Sequence, residues 1–416
     1  MRVHFVNRFY WPAETATAQL LTDLAESLAA RGWSVSVITG HSRAGLPKCE
    51  SRNGVEIRRT GPCMAVTQSL ARRALDFIFF HLGIVPVLWR ALRKKDVAVA
   101  LTDPPLIGIS VGLVAGLRNA RVVHWVQDIY PEVVPAVKDS WGAKILCAAF
   151  RGPRDIAWRR SAACVSLSHA MAAHIQSSGV TSTRTHVVSN WAPRGIHPAE
   201  DDAVNVLRSQ WELSGRFVIG YSGNFGRVHD LGHILDVAEK LRDHPQFLFL
   251  FIGNGAAFEA LRRGVASRQL INVRFLPARP REELSTSLGA ADVHLISVRE
   301  GCERFVFPSK LYGIAAAGRP VLLLASLESE IARTIRDHGL GLVFRPSDVD
   351  GIAGGLKNLS SDPRLQENFS RAALAFDSRH RHESAVYAWE SILSAATGVA
   401  RPAEATPHGQ TSENLA

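Results

Sequence analysis

Apolar residues in the first half of the chain form short clusters that alternate with longer amphipathic stretches. Residues 17–31 are one such stretch, in which Leu20, Leu24 and Leu28 recur at helical spacing before Gly32 ends the pattern. Strands that alternate with helices in this way are typical of a parallel sheet buried on both faces. The predicted strands of this half are residues 3–6, 34–39, 97–101, 122–126, 164–167 and 186–189.

The same alternation begins again after a polar stretch at residues 193–215, which we interpret as a linker. Two such series predict an α/β fold with two doubly wound, Rossmann-like domains and a ligand cleft where the carboxyl ends of their strands meet. From about residue 398 the pattern is lost, and we expect residues 398–416 to form a flexible tail. The predicted strands of the second half are residues 217–221, 247–252, 273–276, 293–297, 321–324 and 342–344.

Length and composition agree with two soluble domains. The chain has 416 residues, of which 46% are hydrophobic and 21% charged, and this is too long for one comfortable core. The N-terminal residues lack the basic leader, long apolar stretch and cleavage site of a secreted protein. The five cysteines are scattered, without the paired spacing of a zinc site or a disulfide framework. These features predict a cytoplasmic protein.

The excess positive charge lies in the first half of the chain. The net charge is +10, and residues 1–199 contain 24 Lys and Arg against 12 Asp and Glu. Such a half attracts nucleic acid, an anionic bilayer surface or a phosphorylated substrate. A generally basic proteome is the simpler alternative.

An unusually apolar and aromatic segment, residues 77–89, lies within this basic half. It is flanked by Arg72 and by the cations of residues 90–95, and it is shorter than the ~20 residues that cross a membrane. This pattern predicts a helix that lies on an anionic membrane surface. The alternative is a core helix with solvated ends. The later apolar segment 106–117 is interpreted as a buried helix of the sheet.

Three loops that follow strands of the second half carry candidate ligand-binding residues. Residues 221–227 contain two glycines and a forked cation suited to a diphosphate, and residues 251–255 bring further glycines to the end of the next strand. Alone, each loop is explained equally well by a tight turn. The candidates in these two loops are Ser222, Gly223, Asn224, Gly226, Arg227 and Gly253.

The third loop leads into a predicted helix with Pro308 at its start and Gly318 after its end. The free amides of the first turn and the ammonium of Lys310 can bind a phosphate together. Alternatively, Pro308 and Ser309 cap a core helix and Lys310 points to water. Neither the Walker pattern nor the dinucleotide fingerprint is present, so ATP hydrolysis and NAD chemistry are not expected.

These segments, together and in this order, resemble the retaining family-four glycosyltransferases of GT-B fold, in the branch that builds bacterial surface polysaccharides. The resemblance extends to about residue 393. It rests on residues 9–12, 16–21, 125–132, 187–191, 221–227, 307–310 and 312–321.

The resemblance implies an N-terminal acceptor-binding domain (1–195), a nucleotide-sugar donor-binding domain (196–379) and a last helix, at about 380–397, that crosses back. It also implies transfer of a hexose, with retention of configuration, from a nucleotide-diphosphate sugar to a glycan acceptor in exopolysaccharide, capsule or O-antigen synthesis. We expect the acceptor to be lipid-linked and the enzyme to bind the inner leaflet through its basic half. Neither a metal, another cofactor nor nucleic acid is expected.

The resemblance also assigns residue roles. Arg227 and Lys310 would neutralise the departing diphosphate, while the backbone of Phe307, Pro308 and Ser309 holds the phosphates. These residues, together with the glycine-loop candidates named above, form the predicted donor site.

On the acceptor side, Asp128 would orient or help to deprotonate the attacking hydroxyl, unless it only caps a strand end. Gln127 replaces a histidine that many relatives have. Glu14 would contact the acceptor or the sugar, or else cap the helix that follows.

The sequence departs from the family pattern at two places. Gly313 occupies the position of a ribose-binding glutamate, so we propose Glu330 as the ribose contact, with a surface helix as the alternative. A second cation that usually follows the loop arginine is missing, and His229 or His233 is the candidate substitute, with a position on a helix surface as the alternative for each.

Two rival functions remain at this point. A nucleotide-sugar epimerase of the same fold would use the cleft without an acceptor. A basic nucleic-acid or membrane-binding protein would use the first half alone. The second is disfavoured because the candidate phosphate loops lie in the other half and no recognisable nucleic-acid module is present.

Overall fold

A computed structural model describes residues 2–63 and 70–398, and eight strands in this part of the chain build the first sheet. Their order is β3-β4-β2-β1-β5-β6-β7-β8, and all neighbouring pairs are parallel except β3 with β4. The six predicted strands are present, with ends that differ by two residues at most. The strands are β1 (Val3–Val6), β2 (Val35–His41), β3 (Cys49–Arg52), β4 (Val55–Cys63), β5 (Val97–Ala100), β6 (Arg121–Val126), β7 (Ala163–Ser166) and β8 (Thr185–Val187).

The hairpin of β3 and β4 is the part of this sheet that the apolar pattern does not predict. It lies at the sheet edge, where β3 is largely exposed and carries polar residues. Asn53 and Gly54 form its turn, both with positive φ (47° and 79°). An Asn-Gly pair is the usual signal for such a two-residue hairpin turn, so the sequence did contain the relevant cue.

Helices cover both faces of the first sheet. The helix α1 and the last helix of the chain pack on one face, in a core with Phe5, Val37 and Trp125. The helices α2 and α3 pack on the other face around Ile38 and Ala100. The helices of this half are α1 (Ala16–Ala30), α2 (Leu70–Ala91), α3 (Ile107–Leu117), α4 (Val133–Val137), α5 (Trp141–Arg160) and α6 (His169–Ser177).

The second sheet is entirely parallel, in the order β11-β10-β9-β12-β13-β14. The prediction of an α/β fold with two Rossmann-like domains is therefore confirmed. Its strands are β9 (Phe217–Ser222), β10 (Phe247–Ile252), β11 (Val273–Leu276), β12 (Val293–Ser297), β13 (Val321–Leu324) and β14 (Gly341–Phe344). Its helices are α7 (Asp201–Gln210), α8 (Gly232–Lys240), α9 (Phe258–Ser267), α10 (Leu284–Gly289), α11 (Lys310–Ala316), α12 (Glu330–Asp337), α13 (Val349–Ser361) and α14 (Pro363–Arg379).

The last helix, α15 (His382–Thr397), returns to the first domain. Its Trp389 ring lies 4.9 Å from the ring of Trp125 on β6, and its Glu390 pairs with Arg31 after α1 at 3.1 Å. The helix that the resemblance implies at about 380–397 thus packs against the first sheet. The predicted tail lies outside the described residues from position 399 onward.

Candidate active site

The sheet order places the three candidate loops side by side, because β10, β9 and β12 are neighbours and all point the same way. The loops after β9 and β10 pack directly on each other, and the amide of Phe225 donates to the carbonyl of Asn254 at 2.8 Å. Gly253 has a φ of 136°, and a side chain there would overlap the carbonyl of Gly223. This close packing explains the glycine at position 253 without a ligand.

Lys310 extends from the start of α11 toward the loop after β9. Its Nζ lies 3.6 Å from the centre of the Tyr221 ring, and a side chain at position 223 would come within 3.8 Å of Nζ. The ammonium is buried and makes no hydrogen bond with any described residue. Burial lowers its pKa from 10.5 to about 7. The site therefore presents an unpaired cation, to which a buried anion would be the natural partner.

The aromatic partner of Lys310 was not among the predicted site residues. Tyr221 is buried at the end of β9, and its hydroxyl donates to the carbonyl of Asn224 at 2.8 Å. A cation over a ring face is attracted by the ring quadrupole, which partly replaces the missing anion. The signal available in the sequence was a tyrosine immediately before the Ser222-Gly223 turn.

Arg227 lies at the exposed edge of the same loop, where its side chain forms no ion pair within the described residues. Arg299 supports this segment, because its Nε donates to the carbonyl of Arg227 at 3.3 Å and its guanidinium pairs with Asp230 at 3.6 Å. Beside the paired Arg299, the structure thus places two cations without an ion pair to any described residue near the loop after β9: a buried one at Lys310 and an exposed one at Arg227.

His229 does not replace the missing second cation. Its ring lies inside the loop, and Nδ1 is 2.7 Å from the carbonyl of Ser297, so this nitrogen carries the proton that it donates. Burial, and then the charge of Lys310, lower the pKa of His229 to about 3, which keeps the ring neutral. His233 lies on α8 and pairs with Asp236 at 3.7 Å.

The remaining donor-side candidates surround this centre. Ser222 ends β9, Asn224 is exposed in the loop, and Gly226 lies against the His229 ring. Ser309 has helical dihedral angles and makes no side-chain capping bond, so the alternative role of a helix cap is not observed for it.

The segment before Lys310 also belongs to the domain interface. Phe305 and Phe307 pack against cores of both domains, and the amide of Ile129 in the first domain donates to the carbonyl of Phe305 at 2.8 Å. Asp128 and Val306 form an isolated antiparallel bridge. The loop after β6 therefore meets the segment that leads to α11, which brings the predicted acceptor and donor sides together.

Asp128 sits at this junction, beside a small cavity whose wall includes Leu106, Ile109 and Trp158. Burial, and then the nearby charge of Asp103, raise the pKa of Asp128 to about 6. A carboxyl group with a pKa near the working pH is suited to accept a proton from a hydroxyl. The role of Asp128 in deprotonating an acceptor hydroxyl stays a prediction.

Two family models match the chain. The Glycosyl transferase 4-like domain matches residues 15–191, and Glycosyl transferases group 1 matches residues 205–376. The chain is therefore a glycosyltransferase with these two domains. Their two models divide the chain at the polar stretch between the two sheets, which is where the sequence predicts a linker.

Known proteins similar to this glycosyltransferase span most of its length. WbjE, a probable glycosyltransferase of Pseudomonas aeruginosa, is 28% identical over 72% of this chain and 78% of its own. WcaI of Escherichia coli, named for a proposed role as a colanic acid biosynthesis glycosyl transferase, is 24% identical over 84% of this chain and 89% of its own.

Solved structures show the same fold. HepE from Anabaena, solved with UDP-glucose, matches with a TM-score of 0.71 at 16% identity, over 96% of this chain and 100% of its own. WaaG, a glycosyltransferase involved in lipopolysaccharide biosynthesis, matches with a TM-score of 0.70 at 17% identity, over 94% of this chain and 99% of its own. The two domains of the glycosyltransferase thus have the predicted GT-B arrangement.

A buried ion-pair network holds the loop that carries Asp128. In this glycosyltransferase Arg154 on α5 donates to both carboxylate oxygens of Glu132 at 3.0 and 2.6 Å, and to the carbonyl of Tyr130 at 3.0 Å. His174 on α6 lies 3.2 Å from the same carboxylate. Burial alone would raise the pKa of Glu132, but the hydrogen bonds from His174 and Arg154 outweigh it and lower the pKa to about 2.

Two other predicted acceptor-side residues have different surroundings. Gln127 is buried, and both ends of its amide pair with the amide of Asn190, at 3.3 and 3.4 Å. Contact with an acceptor would require this pair to open, so the structure does not favour that role. Glu14 is exposed before α1, and no acidic side chain caps this helix.

The predicted ribose contact is engaged elsewhere. The two carboxylate oxygens of Glu330 accept hydrogen bonds from the amides of His169 and Ala170, at 2.9 and 2.6 Å. The carboxylate therefore lies at the N-terminus of α6 and joins the two domains. Gly313 faces Ile196, whose Cδ1 would lie 3.5 Å from an added side chain. A glutamate at position 313 would thus meet the linker.

Glu303 joins two loops of the donor domain and was not predicted to contribute. Its oxygens accept from the amides of Gly301 and Ser326 at 2.7 and 3.2 Å. The loops after β12 and β13 are fixed to each other by this side chain. Within residues 2–63 and 70–398, no group of three or more His, Cys, Asp or Glu residues is arranged to hold a metal ion.

Proposed function

We propose that this glycosyltransferase moves a hexose, with retention of configuration, from a nucleotide-diphosphate sugar to a lipid-linked glycan during synthesis of a bacterial surface polysaccharide. The observation that carries the proposal is the buried, unpaired ammonium of Lys310 at the loop after β9. Solved neighbours contain UDP and UDP-glucose, WcaI is named for a proposed role in colanic acid biosynthesis, and WaaG is involved in lipopolysaccharide biosynthesis.

On the donor side, the diphosphate would lie between Lys310 and the backbone of residues 222–226. Its negative charge grows as the bond to the sugar breaks, and a fixed cation stabilises that charge more strongly in a site that excludes water. Arg227, at the exposed edge, would close over the outer phosphate. Phe307, Pro308 and Ser309 would form the opposite wall, and Gly253 supports the loop from behind. No metal or cofactor is part of this proposal.

On the acceptor side, Asp128 would accept the proton of the attacking hydroxyl, with Glu14 at the mouth of the cleft. Retention requires that the hydroxyl reach the sugar on the face from which the diphosphate leaves. The bridge between Asp128 and Val306, four residues before Lys310, favours such an arrangement. Gln127 would contribute only after its pair with Asn190 opens.

Among the described residues, we identify no free side chain that would hold the nucleoside of the donor. Glu330 remains the candidate for the ribose, and such a contact would replace its bonds to the amides of α6. We further propose that the enzyme works at the cytoplasmic face of the inner membrane as a peripheral protein and does not bind nucleic acid. The basic first half and the apolar helix α2 support this location.

A panel of nucleotide sugars tests the proposal. The donor should raise the melting temperature of the protein, and the same donor should then be consumed with a polyprenyl-diphosphate glycan as acceptor. The anomeric configuration of the product, measured by proton NMR, should equal that of the donor. Conversion of the nucleotide sugar without any acceptor would favour the epimerase instead, and inversion at the anomeric carbon would contradict retention.

A further inference from the structure

Three neighbouring helices of the first domain share an apolar outward face. Of the seventeen large apolar side chains that are exposed in the described part of the chain, thirteen belong to α2, α3 and α5. Since α3 contacts both other helices, their outer surfaces form one continuous patch, which we call the three-helix face. Its members are Leu75, Ile78, Phe79, Leu82, Val85, Trp89, Leu113, Leu117, Trp141, Ile145, Leu146, Phe150 and Ile156.

The helix α2 is apolar on two opposite sides. Phe80, Ile84 and Leu88 are fully buried against the sheet, whereas Leu82 on the outer side is 64% exposed. The segment Ala74–Ala91 is also long and apolar enough to cross a membrane by length and composition. Because the inner side is part of the first domain's core, α2 lies along that domain instead of crossing a bilayer.

The other two helices extend this surface beyond the segment that the sequence singles out. Trp141 at the start of α5 is 80% exposed, and Leu146 and Phe150 follow on the outer side of the same helix. On α3, Leu117 is 72% exposed, so the expectation that residues 106–117 form a buried helix is confirmed only for the inner side of this helix. Patches of this extent are uncommon on soluble monomers and mark contact surfaces.

Cations border the three-helix face at one edge. The three helices run against the direction of the strands, so their C-terminal ends lie together at the amino edge of the sheet. Two carboxylates near the face, Asp139 and Asp155, are already paired with Lys144 and Arg154. The exposed cations at this edge are Arg90, Arg93, Lys94, Lys95, Arg121, Arg159 and Arg160.

We propose that the three-helix face is the surface on which this enzyme lies against an anionic bilayer. The inference rests on the proposed function, and it names the whole contact surface, which α2 alone does not supply. An anionic membrane matches both the apolar side chains and the bordering cations of this face. Its acyl region takes up apolar side chains, and its headgroups pair with cations. A second copy of the chain fits less well, since the exposed cations at the edge outnumber the carboxylates near the face, Asp76, Asp139 and Asp155.

This placement also orients the cleft. The helices α3 and α5 begin at the carboxyl edge of the sheet, which is the edge that carries Asp128. The cavity lined by Leu106, Ile109 and Trp158 lies between these helices and includes Asp128 in its wall. An acceptor whose lipid stays in the bilayer would therefore reach Asp128 along the membrane surface.

Sedimentation with vesicles tests this surface. The full chain should bind vesicles of phosphatidylglycerol and phosphatidylethanolamine at least about tenfold more tightly than vesicles of phosphatidylcholine alone. Leu146→Gln with Phe150→Gln on α5 should weaken binding to the anionic vesicles by about tenfold or more. Val206→Gln with Ile271→Gln, which changes two exposed apolar residues of the donor domain, is the control and should leave binding unchanged.

Two further variants protect the test against misfolding. Trp141→Gln changes the most exposed side chain of the face, and Arg93→Gln with Lys94→Gln and Lys95→Gln changes only the charged edge. Both should weaken vesicle binding while donor-induced thermal stabilisation stays intact. Unchanged vesicle binding in all three variants would overturn the proposal. The proposal would also be overturned if the wild type were a dimer, the variants were monomers, and lipid changed neither state. If the wild-type protein bound no nucleotide-sugar donor, the result would instead contradict the proposed function.

Discussion

The ammonium of Lys310 lies 3.6 Å above the ring of Tyr221, and no described residue provides it with an anion. Lys310 belongs to the start of α11 and Tyr221 to the end of β9, so the contact joins a helix and a strand of the donor domain. A buried cation without a counterion is costly, and its low pKa of about 7 is the consequence. The arrangement is understandable if a diphosphate is the missing partner.

Donor affinity should depend on pH through Lys310. In the free protein its pKa is about 7, and a bound diphosphate favours the charged form and raises that pKa. Affinity should therefore be nearly constant below pH 7 and fall by about tenfold per pH unit above it. Titration calorimetry with the donor, repeated over pH in two buffers, should show proton uptake on binding above pH 7. Binding without proton uptake would contradict a role for Lys310 in holding the diphosphate.

Replacement of Asp128 should impair turnover but not donor binding. Its pKa of about 6 predicts that kcat/KM falls as pH decreases below 6, because the carboxyl then holds the proton that it must accept. Asp128→Asn should lower kcat by about a hundredfold or more and remove this acid limb. Asp350→Asn, an exposed carboxylate on α13, is the control. An unchanged acid limb in Asp128→Asn would assign the limb to another group.

The Glu132–Arg154 pair should contribute to stability above about pH 4. The folded protein lowers the pKa of Glu132 from 4.5 to about 2, so this contribution is complete above 4.5 and is lost as pH falls toward 2. Arg154→Met should reduce the free energy of unfolding by about 3 kcal/mol, because it removes the buried cation that donates to both oxygens of the Glu132 carboxylate. Urea denaturation at neutral pH measures the change. If Arg154→Met and Glu132→Gln were additive in the double variant, the two residues would not act as a pair.

Glu330 should protect the first amides of α6. Glu330→Gln removes the charge and one acceptor from the bonds to His169 and Ala170, so hydrogen exchange at these two amides should become faster. Exchange in α8, which lies in the domain that carries Glu330, serves as the internal control. A donor that uses Glu330 for its ribose should accelerate exchange at the same amides in the wild type. Exchange unaffected by the substitution would show that the carboxylate does not cap α6 in solution.

Strands buried on both faces were the most predictable elements of the fold. Phe247–Ile252 consists of six apolar residues, and every one of them is buried. The edge strand β3 lacked this signal because two of its four residues are exposed and the other two are only half-buried. Helix α5 was also missed: Gly152 and Pro153 lie within it, and its outer side is apolar, which obscures the usual amphipathic pattern.

Within the candidate site, residues near each other in sequence were easier to find than partners that tertiary structure supplies. Lys310 follows Pro308 at a predicted helix start, whereas its contact with Tyr221 spans two strands of the sheet. Glu330 caps a helix that lies about 160 positions earlier, and no local pattern announces such a contact. The burial of His229 likewise depends on how the loop folds over Ser297.

The role of Lys310 in holding the donor diphosphate is tested most directly by removing its charge. Lys310→Met keeps most of the side-chain volume and should lower kcat/KM for the donor by about a hundredfold or more, with an unchanged or raised melting temperature because a buried charge is lost. Lys357→Met, an exposed lysine on α13, should match the wild type. Folded Lys310→Met protein that transfers sugar at the wild-type rate would contradict this role of Lys310.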